Sequence, residues 1–150
     1  MPREAALGGD VDHALVEFQG HLNLLFARAR TQWRDAAARI DPQLQPAGYK
    51  LLMYIARVGS ANAHQLADAF EIDKSVVSRQ VRMLEDFGLV ESRADELDGR
   101  LRVLTATAKA SAALAEIRGD HANRLRVVLD ELTADEIVAA SKVFRLLSEV

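Results

Sequence analysis

Cysteine is absent from the 150-residue chain, which excludes disulfides and thiolate metal sites. A run of 18 apolar residues is also missing, so neither a transmembrane helix nor a membrane partner is expected. The start, Met1 through Gly9, has neither the basic opening nor the long apolar stretch of a secretion signal, and a cytoplasmic location is the expectation. There is no glycine-rich phosphate loop, no Gly-x-Ser-x-Gly elbow and no carboxylate or histidine constellation set in a loop, so neither an enzyme nor a cofactor is expected. Positive charge is not in excess either: 19 Lys and Arg against 22 Asp and Glu leave a formal charge of -3. That total speaks against a broad nucleic-acid footprint, but its distribution is uneven. Residues 74 to 82 hold Lys74, Arg79 and Arg82 with no acid, whereas Glu85, Asp86, Glu91, Asp95, Glu96 and Asp98 lie beyond that patch.

What is present is an ordered succession over residues 62 to 105, two short amphipathic helices followed by a strand, a charged turn and a second strand. The first helix, Ala63 to Phe70, places Leu66, Ala67 and Phe70 on one face, with Asn62 as its cap. After a turn at Glu71-Ile72, Asp73 is the expected cap of a second helix running from Lys74 to Phe87. Its inward stripe is Val77, Val81 and Leu84, with Val76 beside them, and it stops at Gly88, where a left-handed residue is easily accommodated. Spacings of three and four put Ser75, Ser78, Arg79 and Arg82 on the other face, where short hydroxyls beside guanidinium groups suit contacts to base edges and phosphates.

Beyond Gly88 the period changes. Leu89 to Arg93 and Arg100 to Leu104 read as two half-exposed strands, with Leu101, Val103 and Leu89 as the apolar positions and Asp98-Gly99 as turn chemistry. Asp98, two residues before Arg100, is expected to fix that guanidinium at the tip, ready for a narrow minor groove. Arg93 is expected to brace the hairpin by pairing with an acid.

These residues resemble the MarR family of bacterial transcriptional regulators. The likeness is carried by Gln65-Leu66-Ala67, by Lys74-Ser75-Val76-Val77-Ser78-Arg79, by Leu84 through Val90, and by Asp98-Gly99-Arg100 followed by Leu104-Thr105. It extends over nearly the whole chain, because the flanking helices fall where that family has them. Ala108 departs from the pattern, which often has glycine shortly after the Leu-Thr pair; alanine favours helix entry there. The lack of cysteine removes the cysteine-based peroxide sensing that is common among members of the family.

The resemblance implies a mostly α-helical winged helix-turn-helix with a two-stranded β-wing and N- and C-terminal dimerisation helices. The expected organisation is a single domain over 1–150, with dimerisation helices at 10–40 and 107–150 and a DNA-binding lobe at 45–105. Periodicity agrees. Val11, Leu15, Phe18, Leu22, Leu25, Ala29 and Trp33 alternate steps of four and three, a seam for another helix that starts at Asp10 after Gly8-Gly9 and ends near Ile40-Asp41-Pro42. A long helix from about Thr107 to Leu132 follows the wing, carrying Leu114, Ile117, His121, Leu125, Val128 and Leu129. Thr133 to Glu136 is a capping box opening a last helix, with Ile137, Ala140, Val143, Phe144, Leu147 and Val150 inward. Apolar faces this broad exceed what one small winged domain covers, so a homodimer on a palindromic operator is expected, most simply as a repressor.

The expected DNA-binding residues are therefore Lys74, Ser75, Ser78, Arg79, Arg82, Asp98 and Arg100, with double-stranded DNA as partner. The resemblance also implies a small aromatic or phenolic effector held between the dimer helices and the lobe, by some of His21, Phe26, Arg30, Trp33, Tyr49 and Met53; the alternative for those aromatic and Met positions is plain core. Among the histidines, His13 with Glu17 and His64 with Asp68 are spacings that helical surfaces produce by chance, and no metal site is expected. The alternative function is a winged-helix protein-interaction module without specific DNA binding, to which the acidic total is suited.

Overall fold

The computed structural model describes residues 2–150, with side chains from Gly8 onward. The chain divides into two compact units, Met1–Thr107 and Ala108–Val150. The first contains α1 (Pro2–Ile40), α2 (Pro46–Val58), α3 (Ala63–Phe70), α4 (Lys74–Asp86) and the antiparallel pair β1 (Val90–Ala94) and β2 (Arg102–Ala106). The second contains α5 (Ala108–Leu129) and α6 (Ala134–Leu147).

Local chemistry explains each boundary in the first unit. Pro42 ends α1, and the carboxylate of Asp41 turns the chain by accepting the Gln43 N–H at 2.8 Å. Pro46 opens α2, where its missing N–H costs nothing, and Gly59 closes it at φ 89°. A reciprocal capping box opens α3: Asn62 Oδ1 accepts the Gln65 N–H at 2.8 Å, and Gln65 Oε1 accepts the Asn62 N–H at 2.9 Å. The helix ends on Glu71, the sole non-glycine residue with positive φ among those described, at 52°. The Ile72 N–H then reaches back to the Ala67 carbonyl at 3.1 Å. The same device closes α4, here with a glycine: Gly88 sits at φ 68°, its N–H donates to Glu85 and the Leu89 N–H donates to Leu84, both at 2.9 Å.

The core of this unit lies where α2, α3, α4 and the root of the wing converge. Leu51, Leu52, Ile55, Leu66, Val77, Leu84 and Leu89 are fully buried there, with Val90 and Leu104 nearly so. Each such side chain contributes about 1.5 to 3 kcal/mol through burial, which is what fixes α4 in place. A close approach helps. Gly48 on α2 lies so near α4 that a Cβ there would stand 3.1 Å from Gln80 Oε1, and 2.9 Å from Leu44 Cδ1 within its own segment.

Several boundaries and faces differ from the sequence reading. The first helix starts at Pro2, ahead of the expected Asp10, because Gly8 and Gly9 lower helix propensity without blocking the backbone bonds that carry the helix through them. Asp73 occupies the cap position of α4 but its side chain makes no cap bond; the Val76 and Val77 N–H groups bond its carbonyl instead. Val81 and Val76 are half-buried. The strands begin and end one or two residues later than expected, with Val90 opposite Ala106 and Arg93 opposite Val103. That register changes the parity of the second strand, so Leu104 is buried while Leu101 is exposed. Leu104 also exchanges backbone bonds with Ala61, at 3.1 and 2.8 Å, giving the wing root a third short partner.

In the second unit α5 stops at Leu129 and a turn leads to Thr133. The expected capping box is present: Thr133 Oγ1 accepts the Glu136 N–H at 3.3 Å, and the Glu136 carboxylate accepts the Thr133 N–H at 2.8 Å and its hydroxyl at 3.0 Å. Those two donors hold the Glu136 carboxyl below its usual pKa. Ile137, Ala140 and Val143 are half-buried, but Phe144, Leu147 and Val150 are exposed, contrary to the inward face expected of them. Nothing among the described residues covers these three.

Candidate nucleic-acid interface

Because Val77 and Leu84 anchor the inner side of α4, helical geometry turns Lys74, Ser75, Ser78, Arg79 and Arg82 outward, and all five are exposed. They form an acid-free row on the second helix of a helix-turn-helix. The sequence reading brought these five residues together, and the structure places them on one helix.

The wing tip is built from its own carboxylates. Asp95 Oδ1 accepts the N–H groups of Leu97 at 2.8 Å and Asp98 at 3.0 Å, and the Asp95 N–H donates to the Leu101 carbonyl at 2.9 Å. The bonds from Asp98 and then Leu97, with a further contribution from the charge of Arg93, hold the Asp95 carboxyl below its usual range. Asp98 in turn accepts the backbone N–H of Arg100 at 3.0 Å. Its effect is therefore on the Arg100 backbone: the expected carboxylate-to-guanidinium clamp is not formed among the described residues, and the Arg100 side chain is exposed. Leu97 stands almost wholly in solvent beside it.

Arg102 braces the hairpin as well, beside Arg93, whose charge acts on the carboxylate of Asp95. The Arg102 Nε donates to Ser92 Oγ at 2.8 Å and an Nη donates to the Ser92 carbonyl at 2.9 Å. Sequence reasoning missed Arg102 and Ser92 because the hairpin register, which sets them near one another, depends on a seven-residue tip with no strong period. Between α4 and the strands lies a cleft of about 350 Å³ whose walls include Ser78, Arg82, Glu85, Ser92, Arg102 and Leu104.

The residues expected to hold an effector are dispersed. Tyr49 is core, Met53 is half-buried, and the half-buried Trp33 lies under Lys50 Nζ, 4.3 Å from the ring centroid. His21, Phe26 and Arg30 are exposed on α1. His13 lies 3.8 Å from Glu17 and His64 3.4 Å from Asp68, each an exposed pair one helical turn apart.

An outward basic helix positioned by a buried partner helix, followed by a hairpin with an arginine at its tip, defines the winged helix-turn-helix class of DNA-binding proteins. Comparison with known proteins narrows this. Residues 43–101 match the model of the MarR family. The chain is 28% identical over 107 residues to the uncharacterized HTH-type transcriptional regulator YxaD of Bacillus subtilis (strain 168), covering 71% of this chain and 75% of that one. Among solved structures, a MarR family transcription regulator superposes with a TM-score of 0.80 at 21% identity, over 96% of this chain and 93% of that one. The YusO protein from Bacillus subtilis gives a TM-score of 0.71 at 20% identity, over 93% and 97%. Apo wild-type MarR from E. coli gives 0.66 at 18%, over 85% and 94%. Residues 43–101 thus match the MarR family model, and the chain has the winged-helix fold of the solved MarR-type structures.

Proposed function

We propose that this MarR-type regulator acts as a homodimer that binds a palindromic operator in double-stranded DNA and represses by occupying it. The observation that carries the reading is the exposed, acid-free row Lys74, Ser75, Ser78, Arg79 and Arg82 on α4, with exposed Arg100 on the wing. In this reading two copies of α4 enter successive major grooves about 34 to 36 Å apart. Arg79 and Arg82 contact base edges or phosphates, and Arg100, with its backbone fixed by Asp98, reaches the neighbouring minor groove. The overall charge is negative and the local positive field modest, so affinity depends on both copies binding together.

Pairing is supported by apolar surface that a single copy leaves uncovered. Val11, Leu15, Phe18 and Leu25 on α1 are each about half exposed or slightly less, and Leu125, Val128, Phe144 and Leu147 in the second unit are similarly open. A cytoplasmic location goes with this reading, since the DNA lies there; no helix among the described residues is long and apolar enough to cross a membrane. Release by a small aromatic or phenolic compound is the finer part of the proposal. Phe26, Arg30 and Trp33 follow one another along α1 at steps of four and three, with His21 further up the same helix. Such a ligand derepresses only if it binds a lobe spacing that the operator does not accept.

The test is a titration of the protein against a duplex from its own upstream region and an unrelated duplex, at two salt concentrations. Tight, salt-sensitive binding to the first supports the reading, and no binding to either at low salt refutes it. In parallel, Leu25→Glu should yield monomers by sedimentation and weaken operator binding; an unchanged dimer would remove α1 from the interface.

A further inference from the structure

The cleft between α4 and the wing joins Ser78 and Arg82 of the outward α4 row to residues of the hairpin. Its walls are unusual for a surface recess. Arg82 comes from α4 and Arg102 from β2, each beside a serine hydroxyl, Ser78 and Ser92, and about 350 Å³ of space lies between them. Arg102 is held still by its two bonds to Ser92, which use two of its five N–H donors and leave three for something else. Arg82 has no bond or ion pair among the described residues. Glu85, on the same wall, is likewise unpaired and opposes any anion that enters.

Duplex geometry says what would lie over this recess. A helix in the major groove and a hairpin tip in the adjacent minor groove straddle one sugar-phosphate strand, because a single backbone separates the two grooves. The surface between α4 and the wing therefore faces that strand. We propose that the cleft is a seat for the backbone phosphate lying between the two grooves, with Arg102 and Arg82 as its cationic sides and Ser78 and Ser92 as hydroxyl donors. Arg102 thereby has two duties, bracing the wing and carrying a phosphate contact, and Glu85 weakens that contact. The seat sets how far the wing stands from α4 on DNA without reading sequence. The inference rests on the DNA-binding reading above.

Two full-length variants, each with a matched control, test it with the specific and unrelated duplexes over a salt series. Glu85→Gln is compared with Asp86→Asn, which makes the same change of net charge at the next, exposed position of α4. A phosphate in the seat predicts that Glu85→Gln raises affinity for both duplexes by about fivefold per subunit, the effect of one unit charge at about 4 Å in water, and that Asp86→Asn raises it much less. Equal gains from the two variants overturn the proposal. Arg102→Gln should lower the slope of log affinity against log salt by about 1 per subunit on both duplexes, and Arg102→Lys, which keeps the charge but gives up the two-pronged brace on Ser92, should restore it. A slope unchanged in Arg102→Gln, or reduced equally in Arg102→Lys, assigns Arg102 to the brace alone and overturns the seat. Failure of the parent protein to bind either duplex overturns the DNA-binding reading itself, a different result from normal parental binding with matched variants.

Discussion

Replacing Asn62 by alanine removes one half of the reciprocal cap that opens α3. This helix has only eight residues, so its first orphan N–H groups are a large share of its backbone donors. The substitution frees the Gln65 N–H, now bonded at 2.8 Å, and leaves the Asn62 N–H dependent on a glutamine that has lost its counterpart. Both bonds are exposed, so water replaces them and the cost lies in the middle of the usual range, about 1 kcal/mol. For a chain of this size that is a fall in Tm of roughly 2 to 4 °C. Gln65→Ala should cost about half as much, because alanine returns some helix propensity. The double variant should fall short of the sum by about 0.5 kcal/mol, since each side chain orders the other. Urea or thermal unfolding at one fixed protein concentration provides the assay, fixed because the proposed dimerisation would make Tm depend on concentration. An Asn62→Ala protein as stable as its parent, or strict additivity in the cycle, would refute the claim that the box sets the start of the helix-turn-helix.

Arg79→Ala should cost about 1 to 3 kcal/mol of operator affinity and relax specificity if Arg79 reads a base, and weaken all duplexes alike if it holds a phosphate; selection of preferred sequences from a random pool separates the two. Glu71→Gly should stabilise the protein by about 1 kcal/mol in urea unfolding, because at φ 52° a glutamate carries left-handed strain that glycine does not. Asp95 orders the wing tip as a carboxylate, and its folded pKa lies below the ordinary 3.8. Its contribution is therefore complete above that value and is lost as pH falls through the lower folded one. The protection of the Leu97 and Asp98 amides, taken relative to intrinsic exchange at each pH, should hold at neutral pH and fall only in acid below the ordinary aspartate range, and Asp95→Ala should lack it at every pH.

Much of the fold was legible because its elements carry strong local signals. The apolar stripe of α3, Asn62 before it, Gly88 after α4 and the Thr133–Glu136 box each state a boundary in the residues themselves, and the structure has all four. Asp73 shows the limit of such signals: a good capping residue can occupy the cap position without bonding, since the chain entering α4 is already set by the turn at Glu71. The wing register was not legible, because Leu101, Val103 and Leu104 offer both parities and only the bridge to Ala61, distant in sequence, selects one. The bracing part of Arg102 was hidden for the same reason. A short-range cue to Asp95 was available in its spacing of two and three residues from Leu97 and Asp98, the reach of an aspartate that bonds the backbone just ahead of it.

The wing divides into a root and a tip that depend on different things. Its root is tied to the core by Leu89, Val90 and Leu104 and to Ala61 by a backbone bridge. Its tip, residues 95–101, is held by bonds that begin and end within the tip itself. A segment with that independence behaves as an interchangeable cassette. Lengthening, shortening or recharging it leaves the folding of the lobe alone, so an engineer, or divergence between relatives, can change the reach and charge of the wing without paying in stability.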